Sequence, residues 1–107
     1  MADHLEARLR RVQEDFLRAL PARIEEFAAV WDSGENQEVR LKRAHLLAHR
    51  LAGGAGTLGQ PGLSQASKVL ELEIQALLEA GLELEPATLA GLQQRTRDLV
   101  ARIQDLP

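Results

Sequence analysis

At 107 residues, with 45% hydrophobic and only 3% aromatic side chains, the chain has length for one domain with an aliphatic core and too little for two. Its net charge of -3, with no basic stripe and no ladder of aromatics, argues against a nucleic-acid partner, and the absence of cysteine excludes disulfides, thiol nucleophiles and cysteine zinc sites. No apolar run is long enough to span a membrane, and residues 1–30 carry no secretory leader pattern, so a soluble cytoplasmic domain over residues 1–107 is expected.

Four stretches show helical periodicity and none alternates like a strand. In the first, residues 4–32, Leu5, Leu9, Val12, Phe16, Leu20, Ile24, Phe27 and Trp31 recur at steps of three and four. Pro21 lies inside this run and predicts a break: a short helix to about residue 18, then a second from about 20 to 32. Asp32, Ser33 and Gly34 end it as turn residues. The second stretch, residues 36–58, places Leu41, Ala44, Ala48, Leu51, Ala55 and Leu58 on one seam. Gly59-Gln60-Pro61-Gly62 breaks it, with Pro61 suited to start the third helix, residues 61–80. There Leu63, Ala66, Leu70, Ile74 and Leu77 face inward, and Gly81 is the expected stop. The fourth, residues 86–105, opens on Pro86 and carries Leu89, Leu92, Thr96, Leu99, Ile103 and Leu106 on its seam. Short connections make neighbouring helices antiparallel. The expected fold is all-α, an up-down four-helix bundle with a short extra N-terminal helix, and a monomer.

The segment His45 to Gly59 holds the chemistry. His49 follows the seam residue Ala48 and is therefore turned about 100° away from it, onto a flank reached by solvent. His45, Ala52, Gly53 and Gly56 share that flank, with Leu46 close by. Each glycine in a helix interior costs roughly 1 kcal/mol relative to alanine, so Gly53, Gly54 and Gly56 need a reason if the helix continues. Gly53 stands one turn beyond His49, and its missing side chain opens space beside the imidazole. A plain loop over residues 53–62 is the alternative, opposed by the seam positions Ala55 and Leu58.

Two other signals are set aside. Gly54 to Gly59 matches the G-x-G-x-x-G string, which binds dinucleotides only between a strand and a helix, and no strand is predicted. His45 and His49 have the i, i+4 spacing of a two-histidine metal site, but no third ligand falls on their stripe between residues 41 and 56, so no metal site is expected.

His49-Arg50-Leu51-Ala52-Gly53, followed by Gly56, Gly59 and Leu63, resembles the histidine-phosphotransfer (HPt) family, whose pattern is His-x-Leu-Lys-Gly, a further Gly, and Leu on the next helix. Leu47-Ala48 before it and Leu70-Glu71 after it also fit, so the likeness covers about residues 40–75. The resemblance implies that His49 is the phosphoacceptor, Leu51 a core residue and Gly53 the clearance glycine. It implies a phosphorelay intermediate that takes a phosphoryl group from a receiver aspartate and hands it to another. Receiver domains of response regulators or hybrid sensor kinases are the implied partners, with magnesium on the receiver and no cofactor on this chain. Such a carrier has no kinase activity of its own, and calling it an enzyme is a matter of definition. One position departs from the pattern: the family's lysine, three residues after the histidine, is here Ala52. Arg50 and Lys68 are candidate substitutes, since an antiparallel third helix brings residues 68–71 level with His49. The departure also leaves open a degenerate HPt fold that binds receivers without accepting phosphate.

Overall fold

The computed structural model describes residues 2–105. Helix α1 spans Ala2–Ala29, α2 Gln37–Thr57, α3 Pro61–Ala80 and α4 Pro86–Gln104, with a single 3-10 turn, Val30–Asp32, at the end of α1. The described residues contain no strand, and the helices form an all-α bundle.

The connections follow from their residues. Asn36 caps α2, its side-chain oxygen accepting from the Val39 N–H at 2.9 Å. Pro61 and Pro86 begin α3 and α4, where a missing N–H leaves nothing unpaired. Gly59 (φ 71°) and Gly81 (φ 64°) turn the chain after α2 and α3 through the left-handed region that glycine enters without strain.

The core is aliphatic, as the composition requires. Leu41, Ala44, Ala48, Leu51 and Ala55 of α2 are buried, with Leu63, Leu70 and Ile74 of α3 and Leu92, Leu99 and Ile103 of α4. Leu58, Ala66, Leu77 and Leu89 are half-buried at its margins, and Leu106 lies outside the described residues. Thr96 takes a seam position without an orphaned hydroxyl, donating to the Leu92 carbonyl (2.8 Å) and accepting from the indole N–H of Trp31 (2.9 Å). Trp31 is itself buried, and its carbonyl accepts from Arg40 at 2.9 Å.

Two expectations for the N-terminal stretch are corrected. There is no separate N-terminal helix, because α1 runs through Pro21 without a break. Proline removes the hydrogen bond to the carbonyl four residues earlier. That residue is Leu17, and both Leu17 and Pro21 lie on the exposed side of the helix, so the lost bond is not a buried one. Phe16, Leu20 and Phe27 are buried on the opposite side and hold the helix in line across the defect. Nor does the seam reach the N-terminus: Leu5, Leu9 and Val12 are exposed, and burial starts at Phe16. With 28 residues against 21 in α2, α1 is longer by roughly 10 Å and overhangs the bundle at the end where α2 finishes.

The expected loop-or-helix ambiguity at residues 53–58 is decided in favour of helix, since α2 continues to Thr57. Helices α2 and α3 form the most closely packed pair in the bundle. Small residues allow it: a Cβ on Gly56 would stand 3.8 Å from the Ser64 hydroxyl, which donates across the interface to the Ala52 carbonyl at 2.8 Å.

Candidate functional site

His49 stands on the flank of α2, with 64% of its side chain exposed. Its Nδ1 lies 3.1 Å and 3.3 Å from the two carboxylate oxygens of Glu71 on α3. Glu71 is buried, the side chain being 5% exposed, and its second oxygen also accepts from Lys68 Nζ at 3.2 Å. His49, Glu71 and Lys68 thus form one chain of contacts across the α2–α3 interface.

Burial works to raise the Glu71 pKa, but hydrogen bonds from Lys68 and then His49, together with the charge of Lys68, outweigh it and hold the carboxyl below its ordinary 4.5. An ionised carboxylate only accepts. In the neutral imidazole the proton is therefore assigned to Nδ1, donated to Glu71, which puts the lone pair on Nε2. The buried acid fixes both the ring's orientation and the nitrogen offered to solvent.

The surroundings of Nε2 are small. Gly53 is exposed, and a Cβ added there meets nothing within 4 Å, so the space beside the imidazole is open. Gly56 is exposed and Ala52 half-buried on the same flank, while Leu46 is 45% exposed and adds an apolar margin. Arg50 is exposed on the neighbouring face, and Lys68 borders the flank from α3. His45 is half-buried one turn before His49, and its Nε2 is shielded from solvent without a partner. His45, Ala52, Gly53 and Gly56 therefore share a flank with the outward-facing imidazole of His49, Lys68 borders it from α3, and Arg50 lies on the neighbouring face.

Gly54 has a different purpose from its neighbour. A Cβ there would fall 1.9 Å from the ring of Phe16, so the glycine lets α1 lie against α2. The string from Gly54 to Gly59 is the close of a helix and its turn, with no strand before it, and cannot cradle a dinucleotide. Among the described residues no three His, Cys, Asp or Glu side chains are grouped to hold a metal ion.

The sequence reading did not single out Glu71. Its signal was a carboxylate directly after the core residue Leu70, on a helix packed against the His49 flank. An acid at a buried position needs donors, and the nearest available are His49 and Lys68.

Comparison with protein families gives a match to the Hpt domain over residues 11–106. The chain belongs to the Hpt domain family. Comparison with curated proteins and with solved structures gives no match. As an Hpt domain the chain has a phosphotransfer role in two-component signalling, a process in which Hpt domains interact with receiver domains. No helix among the described residues is long and apolar enough to cross a membrane.

Proposed function

We propose that this Hpt domain is a phosphorelay intermediate and that His49 carries the phosphoryl group. The observation that supports this most is the bond from His49 Nδ1 to the buried Glu71, which leaves Nε2 unprotonated and exposed beside the open space at Gly53. A receiver's aspartyl phosphate is a mixed anhydride. Nε2 attacks the phosphorus, the bond from phosphorus to the aspartyl oxygen breaks, and the aspartate leaves as a carboxylate. The Nδ1 proton stays on the ring, so the phosphoimidazole carries a positive charge that Glu71 balances. The reverse step delivers the phosphoryl group to a second receiver. The domain supplies position, tautomer and exposure. Magnesium and the groups that stabilise the leaving aspartate belong to the receiver. The domain works as a monomer in the cytoplasm.

Ala52 is the ground for the other reading, a fold that binds receivers without taking phosphate. The intact pairing of His49 with Glu71 favours the carrier, because binding alone needs no oriented imidazole.

The test is phosphoryl exchange with a panel of phosphorylated receiver domains. Label is expected to appear on His49, located by peptide mass, with at least one receiver. Receiver binding without any transfer would overturn the carrier reading and leave the interaction module.

A further inference from the structure

We propose that Lys68 is the cation that meets the phosphoryl group on His49, supplied from α3 where the family's pattern supplies a lysine from α2. This rests on His49 being the phosphoacceptor.

The argument begins with charge. A phosphoryl group on Nε2 adds roughly two negative charges at neutral pH. Glu71 already places an ionised carboxylate 3.1 Å from the other ring nitrogen. Two anionic groups would then flank one imidazole, and position 52, where the family's cation would stand, holds an alanine. Lys68 is bonded to Glu71 at 3.2 Å and remains 49% exposed. Its flexible four-carbon stem lets the ammonium move from the carboxylate toward an incoming phosphoryl oxygen while staying near both. Arg50 is placed worse, because consecutive residues on a helix point about 100° apart.

The packing explains why the cation comes from α3. Ser64, Lys68 and Glu71 are spaced i, i+4 and i+7 on one face of α3. Ser64 is tied to the Ala52 carbonyl and Glu71 to His49, so Lys68 is bracketed between two bonds that cross to α2. It thereby borders the strip of α2 that carries His49 and Ala52. Alanine at 52 keeps that strip clear, and a lysine there would set a second cation beside the first.

The experiment uses the whole chain and phosphoramidate as donor. Nε2 attacks the phosphorus, the P–N bond of the donor breaks, and ammonia leaves. The readout is the ratio of the uptake rate to the rate of hydrolytic loss, with thermal unfolding measured on the same samples. Lys68→Ala is expected to lower that ratio on the order of tenfold while the chain stays folded, with its unfolding midpoint lowered only by the lost bond to Glu71. Lys68→Arg keeps most of the wild-type ratio. Ala52→Lys placed in the Lys68→Ala background restores most of what was lost, which a merely structural role for Lys68 does not explain. Wild-type chain phosphorylated on His49 with an unchanged ratio in Lys68→Ala overturns the assignment of Lys68 alone. A loss that Ala52→Lys fails to repair overturns it as well. Wild-type chain that takes no phosphoryl group on His49 overturns the phosphoacceptor reading and this inference with it.

Discussion

The two flanks of α2 meet at a pair of adjacent glycines that answer opposite demands. On the Gly53 side the helix faces open space beside His49, and a methyl group would touch nothing within 4 Å. On the Gly54 side the helix is covered by α1, and a methyl group would fall into the Phe16 ring. Both glycines carry the same intrinsic penalty of roughly 1 kcal/mol in a helix interior. One is a packing device and its loss is felt by the fold. The other faces open space, and on the proposed reading its loss is felt by a docking partner. Identical residues one position apart can therefore be separated only by what stands opposite them.

The largest effect belongs to the open flank. His49→Gln is expected to abolish phosphoryl acceptance while the far-ultraviolet circular dichroism stays that of a helical bundle. Full acceptance by that variant, with label on His45, would transfer the phosphoacceptor role to His45.

The contrast between the flanks is sharpest in a matched pair. Gly54→Ala is expected to destabilise the domain by about 1–3 kcal/mol, as Phe16 is forced out of place. Gly53→Ala, one residue away, is expected to stabilise it by roughly 0.5–1 kcal/mol. Denaturant unfolding reads both, and equal signs would erase the distinction. Gly53→Leu extends the test to function: it folds well and transfers poorly, because the side chain fills the space that the phosphoryl group and receiver need. Normal transfer by that variant would show that the space has no such use.

A smaller effect is expected from acid. The Glu71 pKa is lower in the folded chain than its ordinary 4.5. Its ionised hydrogen bonds therefore contribute stability that is fully present above 4.5 and is lost as pH falls through the folded-state value. Glu71→Gln is expected to remove that dependence. Comparison of denaturation midpoints at neutral and acid pH checks this. A Glu71→Gln variant with the same acid sensitivity as wild type would place the titration elsewhere.

The smallest effect is expected from Ala52→Lys in the wild-type background. A cation added three residues after His49 slows loss of the phosphoryl group only slightly if Lys68 already meets it. A large gain in phosphohistidine lifetime would mean that the charge is otherwise unmet.

Helices α2, α3 and α4 were legible in the sequence because their seams are interrupted by residues with definite backbone habits: Gly59, Pro61, Gly81 and Pro86. The likeness around His49 was legible because residues close in sequence carry it. Pro21 misled because a proline's cost depends on which side of the helix loses its hydrogen bond, and that side is set by tertiary packing. Leu5, Leu9 and Val12 repeat with the same spacing whether or not anything covers them, so periodicity alone could not place the start of the core. Glu71 and Gly54 have reasons that lie on other helices. The sequence placed residues 68–71 level with His49 but gave Glu71 no role, since burial of its carboxylate is set by packing, and Gly54 needs Phe16 above it, a relation no linear pattern holds.

Trp31 is the only tryptophan in a chain that has no tyrosine. Its indole is buried and bonded to Thr96, joining the end of α1 to the middle of α4. Its carbonyl binds Arg40, near the start of α2 and nine residues before His49, or roughly 13 Å along the helix. Ultraviolet emission from this protein therefore comes from a single interior fluorophore whose surroundings change when the four helices separate. Trp31 shares no hydrogen-bond partner with His49, Glu71 or Lys68, so a fluorescence melt follows the opening of the bundle around the indole and not the imidazole itself.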